Sequence, residues 1–455
     1  MIPQAISYKD KSGFVVLENQ SVYRYVLPVY ARQYHHLMRT GLYADLVAKD
    51  LLIPHTTREL AEHEKPVYFQ VLVPAFIPMV SFPYEWTPGQ WKQVVLTALE
   101  INLISIRHGM ILKDATPFNF TFHQGKCLLI DTLSFDFYHN GPWIAYRQFC
   151  ESMFGPLSLI YYNSAEWAKL MMASVNGWDL SFIHHNLPLR SYFNLNVLLH
   201  IHWHSSYSNK GRGRDLQSKQ ASLSEQKLTA LWSMFYKTVK GWNISRMAKH
   251  WSDYYETDIE SSEYLDHKTV IITQLFSEIP CDTVIDLGAN NGKFSLIAAA
   301  YSKNVIAIES DYACVEQCRA TIERKGITNI TTIVADITQP APGVGWNNAE
   351  RMSLLQRLRG NVVLALALIH HLCISKNIPM EFAAGLFHAV TEKYLVIEFV
   401  PRSDPKVKQM LANREDVFDD YNEADFVRKF SELFYLERTY TINSSSRKLF
   451  VWIRK

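Results

Sequence analysis

The chain has 455 residues and a mass of 52.6 kDa, so a prior of roughly 150 residues per domain gives two or three domains. Hydrophobic residues make up 48% and charged residues 20%, which excludes a disordered, coiled-coil or collagen-like chain. The 46 basic and 44 acidic side chains nearly cancel, which argues against a partner held by bulk charge, nucleic acid included. Aromatic residues are plentiful at 13%, with 24 Tyr, 24 Phe and 11 Trp, and they fall mostly before residue 260. Charged residues interrupt the first thirty positions, and the run from Val67 to Val80 contains Gln70, Pro74 and Pro78. Neither segment reads as a secretory signal or a membrane span. The six cysteines contain no CxxC pair, so the expectation is reduced thiols in a cytoplasmic protein.

In chain order, the first informative stretch is 66–86, PVYFQVLVPAFIPMVSFPYEW, which predicts a strand and a linker. A long helix is predicted from Trp91 to Arg107. Then comes HGMILKDATPFNFTFHQGKCLLIDTLSF at 108–135. Here Asp114 precedes Asn119 by five residues, and Asp131 ends the apolar run CLLID. The spacing resembles the catalytic core of protein-kinase-like and aminoglycoside-kinase-like enzymes. By that resemblance Asp114 orients a hydroxyl, and Asn119 and Asp131 hold magnesium beside the phosphates of Mg-ATP. No Gly-rich loop accompanies them, Leu112 stands where that family has His, and no phosphate-pairing lysine is identifiable. The expectation is a kinase-like domain over 1–204, kept as a scaffold for substrate recognition, with active phosphotransfer as the alternative.

The region 161–204 is rich in Tyr, Trp and His. His200, His202 and His204 would share a face on a strand and be scattered on a helix. From Ser205 to Gln226 the chain turns polar, with Lys210, Arg212 and Arg214, and reads as a loop. The span 205–265 is taken as linker and helical connector, with a helical pattern over 227–255.

From Cys281 short apolar runs alternate with amphipathic segments: 283–288, 304–310, 329–337, 361–369 and 393–401. That alternation predicts parallel strands covered by helices on both faces. Two further strands, 433–442 and 447–455, are separated by the turn NSSS and predict a closing antiparallel pair. Cys314 and Cys318 are four apart on a predicted helix and read as packing.

The first of these strands runs into Asp286-Leu287-Gly288-Ala289-Asn290-Asn291-Gly292. Glycines there allow a tight strand-to-helix turn and a close approach of ligand to a helix N-terminus. The spacing is D-x-G-x-x-x-G, not the dinucleotide fingerprint. Glu309 closes the second strand, where an acid can bond both ribose hydroxyls. Asp336 closes the third, and His370-His371 follow the fourth. Together these residues resemble the class I S-adenosylmethionine-dependent methyltransferases over about 266–455. The resemblance implies a Rossmann-like seven-stranded sheet with a reversed last strand. It places the methionine end of S-adenosyl-L-methionine at the 288–292 loop, ribose at Glu309 and adenine at Asp336. His370 and His371 are candidate general bases, and Glu398, Arg402 and Asp404 candidates for shaping the acceptor site.

The words GMILKDATPFN, IDTLSF and PWIAYRQFC, followed by this second domain, resemble a bacterial family of methyltransferases similar to the nodulation protein NoeA. That resemblance implies a methyltransferase, in some members tied to glycan decoration; the expectation is O-methylation of a glycan or other small hydroxylated acceptor, with a bifunctional kinase–methyltransferase or a non-catalytic interaction protein as the alternatives.

Overall fold

The computed structural model describes residues 9–18, 21–205, 222–244, 262–412 and 417–455. Contacts divide the chain into two units: Met1–Met247 with Gly343–Met352, and Ala248–Pro342 with Ser353–Lys455.

The first unit opens with four antiparallel strands in the order β1-β2-β4-β3. They are β1 (Gly13–Glu18), β2 (Ser21–Val26), β3 (His55–Arg58) and β4 (Gln70–Pro74), with helix α1 (Ala31–Arg39) between β2 and β3. Helix α2 (Pro88–Ser105) starts at a capping box, in which Thr87 and Gln90 each satisfy the other's backbone N–H. Asn102 near its end accepts from the Leu112 N–H at 3.0 Å, which ties the helix to strand β5 (Met110–Leu112). A hairpin follows, β6 (Phe120–His123) and β7 (Lys126–Leu129). Its two-residue turn, Gln124-Gly125, has both residues at positive φ, as a tight right-twisted hairpin requires. Strand β8 (Phe135–Phe137) returns to pair with β5.

The expected connector is divided differently. Residues 206–221, which carry Lys210, Arg212 and Arg214, and 245–261 lie outside the described residues. Helix α3 (Glu225–Gly241) belongs to the first unit. Its Trp232 meets Trp143 edge to face at 5.6 Å, and its Phe235 meets Phe149 at 5.2 Å and Phe154 at 4.8 Å. Rings buried this way contribute about 0.5–1.5 kcal/mol per pair beyond their area. This helix therefore packs within the first unit, beyond the expected end of that domain at 204. The aromatic excess is largely core: Trp86, Trp91 and Trp232 are fully buried. His200 and His202 lie on a helical segment, Leu198–Trp203, not on a strand.

The second unit begins with helix α4 (Ser262–Glu278) and builds one seven-stranded sheet. Its strands are β9 (Thr283–Leu287), β10 (Asn304–Glu309), β11 (Ile330–Val334), β12 (Gly360–Ala365), β13 (Thr391–Phe399), β14 (Phe434–Thr441) and β15 (Lys448–Arg454). The order across the sheet is β11-β10-β9-β12-β13-β15-β14. β15 is antiparallel to both neighbours, and β9 to β13 are parallel. Helix α5 (Lys293–Ala299) follows β9, and α6 (Tyr312–Lys325) follows β10. The first two parallel strands bury four consecutive residues each, the sign of a sheet covered on both faces. Strand order reverses between β9 and β12, which opens a crevice beyond their carboxyl ends where such sheets bind ligands.

Candidate functional site

The loop from β9 to α5 is held by backbone geometry. The N–H groups of Gly288 and Ala289 both donate to the Ile308 carbonyl at 2.9 Å, which stitches the loop to the end of β10. Gly288, Asn290 and Gly292 all have positive φ, at 74°, 51° and 82°. A Cβ at Gly288 would meet nothing closer than Leu368 Cδ1 at 3.5 Å, so the loop presents bare backbone there. A Cβ at Gly292 would fall 2.3 Å from Cys318 Sγ, so close packing on α6 requires that glycine. Ala289 is buried, while Asn290 and Asn291 are exposed.

Asp286 lies beneath this loop and is only 2% exposed. Its carboxylate accepts from Ser295 Oγ on α5 at 2.6 Å, so it braces the loop from below rather than facing solvent. Burial pushes it up to about 6, against the lowering effects of Ser295 and Lys268. Glu309 accepts from the Asn290 N–H at 3.0 Å through one oxygen and from Ser310 and Asp311 through the other. Asp336 accepts from the N–H and hydroxyl of Thr338 at 2.9 and 2.6 Å. Burial raises its pKa, but these bonds and Lys376, 3.4 Å away, outweigh that and hold the group below its ordinary value. Asp286 inside β9, Glu309 at the end of β10 and Asp336 two residues past β11 thus gather three acidic groups at one edge of the sheet, on the side of the glycine turn. A cationic cofactor with a ribose and an adenine fits this set: bare backbone at Gly288 and half-buried carboxylates at Glu309 and Asp336.

The fourth strand is shorter than its apolar run suggests. β12 ends at Ala365, Ala367 turns to positive φ, and His370 and His371 begin the helical turn that follows. His371 is exposed, whereas His370 is buried. Burial, then His371 and the cations Arg447, Lys406 and Lys268, hold His370 well below 6.5, so it is neutral at pH 7. Glu398 and Asp404 do not line an open face: both are buried in ion pairs, with Lys268 at 2.5 Å and Arg447 at 2.8 Å. Arg402 caps the Phe418 carbonyl at 2.7 Å. Lys268, Tyr264 and Arg447 escape a sequence reading. A Tyr and a Lys one turn apart on α4 were the available signal.

In the first unit the structure brings Asp114, Asn119 and Asp131 together. Asn119 Nδ2 donates to Asp114 at 3.0 Å and to Ser134 Oγ at 3.2 Å, and Gln148 donates to Asp114 at 2.6 Å. Burial and the neighbouring Asp131 raise Asp114. Asp131 pairs with Arg24 on β2 and accepts from the Leu133 N–H at 2.9 Å. Arg351, from the Gly343–Met352 segment, lies over Phe118 at 5.3 Å in the fields of Asp114 and Asp131. These residues do not fit magnesium as arranged. Arg24 occupies Asp131, Asn119 turns its amide nitrogen to Asp114, and no metal-holding group of three His, Cys, Asp or Glu exists among the described residues. Within those residues, too, no helix is long and apolar enough to cross a membrane.

Sheet order, reversed strand and glycine turn define a mixed α/β unit, and the solved structures similar to it include methyltransferases. One such neighbour is the N-methyltransferase NodS from Bradyrhizobium japonicum WM9, with 11% identity and a TM-score of 0.33, covering 43% of this chain and 99% of that one. Another is the bifunctional kinase-methyltransferase WbdD, with 15% identity and a TM-score of 0.30, covering 42% of this chain and 39% of that one. Along nearly its whole length the chain is similar to the nodulation protein NoeA of Rhizobium meliloti (strain 1021). Identity to it is 27% over 462 residues, covering 98% of this chain and 95% of the relative. No protein-family model matches the chain.

Proposed function

We propose that the chain is an S-adenosylmethionine-dependent methyltransferase, acting in the cytoplasm on an oxygen of a glycan or other small hydroxylated acceptor. The observation that carries this reading is the open Gly288 turn at the end of β9, with Glu309 ending β10 and Asp336 two residues past β11 at the same edge. The 288–292 loop would hold the methionine end of the cofactor, Glu309 the ribose hydroxyls and Asp336 the adenine amino group. Asp286 acts on the cofactor through the loop that it braces. When bound, the cofactor supplies a methyl group already activated on sulfur, so the chain's own task is alignment and exclusion of water. A neutral His370 offers the acceptor a hydrogen-bonding nitrogen, and His371 stands at the exposed rim.

Titration calorimetry tests this reading. Micromolar binding of S-adenosylmethionine is expected, and Gly288→Arg or Glu309→Ala should abolish it. Unchanged binding in both variants would sink the assignment.

The first unit is, on this proposal, a kinase-like scaffold that recognises the acceptor. Its support is the order of its elements: an antiparallel sheet, a long helix, Asp114 and Asn119, then a hairpin ending at Asp131. Active phosphotransfer is not favoured, because Arg24 holds Asp131 and the Asn119 amide nitrogen faces Asp114: Mg-ATP should leave the melting temperature of the wild type unchanged, and a rise that Asp131→Ala removes would reinstate it.

A further inference from the structure

The helices of the second unit enclose a cavity that the cofactor reading leaves unused. Its volume is about 750 Å³, and its walls come from α4, α5 and α6. It reaches the exposed Asn291 of the 288–292 loop, but neither Glu309 nor Asp336 lines it. The cavity is therefore separate from the acidic edge assigned to the cofactor.

Three cations line it, Lys293 from α5 and Arg324 and Lys325 from α6, and no Asp or Glu does. Among the described residues none of the three pairs with a carboxylate, whereas Lys303, Arg319 and Lys376 of the same unit each hold one within 3.4 Å. Arg324 instead donates to the Thr321 hydroxyl, another lining group, at 3.3 Å. Like charges around one concavity repel one another and focus positive potential into it. Helix electrostatics account for two of them, because Arg324 and Lys325 stand in the last turn of α6, which attracts cations. Lys293 has no such account: it opens α5, the end where the dipole opposes a cation. Half-buried Leu296 and Ile297 give the cavity an apolar wall.

We propose that this cavity binds a small phosphate ester, its phosphate met by Lys293, Arg324 and Lys325 and its organic part lying against Leu296 and Ile297. Three cations suit a ligand with more than one negative charge, and a phosphate monoester carries nearly two at pH 7. S-adenosylmethionine, a sulfonium, brings a positive charge and is the wrong ligand for such walls. The volume falls within the range of about 300–1,000 Å³ typical of small-molecule sites. A formal charge of +2 over the whole chain provides no extended basic face for a nucleic-acid backbone.

Calorimetry on the full chain at low ionic strength tests this, with glucose 6-phosphate and glucose as paired probes. Glucose 6-phosphate should bind at least about tenfold more tightly than glucose, since charge-assisted hydrogen bonds are made by one probe alone. Lys293→Gln and Arg324→Gln should each weaken glucose 6-phosphate by about three- to tenfold, and the double variant by more than either. Lys303→Gln removes an exposed cation of the same unit that lies outside the cavity, and it should change nothing. Equal affinity for the two probes, or an equal loss in Lys303→Gln, overturns the proposal. A short single-stranded RNA that binds more tightly than glucose 6-phosphate, and loses that affinity in the double variant, also overturns it, because the cations would then serve a nucleic-acid backbone.

Discussion

Replacing Gly292 with alanine separates two energies at one position. Gly292 sits at φ 82°, and an L-residue there costs about 1–2 kcal/mol. The new Cβ would also lie 2.3 Å from Cys318 Sγ and 3.2 Å from Cys318 Cβ, in a buried contact. Overpacking of that kind costs about 1–3 kcal/mol. The sum is about 2–5 kcal/mol, or on the order of 10 °C in melting temperature for a unit of this size. Gly288→Ala has the same backbone sign, at φ 74°, but its Cβ finds only an ordinary contact at 3.5 Å. It should cost only the conformational part, about 1–2 kcal/mol. Its effect should fall on cofactor binding, because the bare backbone is what the ligand approaches. The double variant Gly292→Ala with Cys318→Ala removes the sulfur and should regain much of the overlap cost relative to Gly292→Ala alone. Denaturant unfolding followed by fluorescence, alongside calorimetry, reads both quantities. If Gly288→Ala destabilises as much as Gly292→Ala, or removing the sulfur regains nothing, the packing argument is refuted.

The buried Asp286 makes a pH prediction. Its pKa is raised from 3.8 to about 6, so its contribution to stability is fully present below pH 3.8 and is lost as pH rises through about 6. Wild type should lose about 3 kcal/mol relative to Asp286→Asn between pH 4 and pH 7, at about 1.4 kcal/mol per unit; a pH-independent difference contradicts this. Breaking the Lys268–Glu398 pair by Lys268→Met should cost about 3–5 kcal/mol, while Lys268→Met with Glu398→Leu should be close to neutral. Unfolding free energies of the two singles and the double check it, and additive losses would argue against a desolvated pair. Burial pushes the thiols of Cys150, Cys318 and Cys373 up to about 12, so they stay protonated at pH 8. Mass spectrometry after iodoacetamide should find these three unmodified in the native protein and modified after denaturation.

The sequence by itself determined the second unit almost strand by strand. Seven apolar runs were visible, and seven strands form within a few residues of them, because a sheet buried on both faces needs continuous β-branched and aliphatic stretches. The glycine turn and the acids closing its neighbours were equally legible, since positive φ and strand-end carboxylates leave local residue signatures. Asp114, Asn119 and Asp131 were legible as a spacing.

Tertiary structure decided the rest. It ended β12 at Ala365 and buried His370 while leaving His371 exposed, an outcome set by packing against distant helices rather than by the residues between. Only the fold could show that helix Glu225–Gly241 completes the first core, and that Trp86, Trp91 and Trp232 are fully buried. Only the fold could pair Arg24 with Asp131, 107 residues apart, or Lys268 with Glu398, 130 residues apart. Long-range partners of charged residues carry no local pattern. Their identity follows from which strand ends the sheet order brings side by side, and that order is a property of the whole chain.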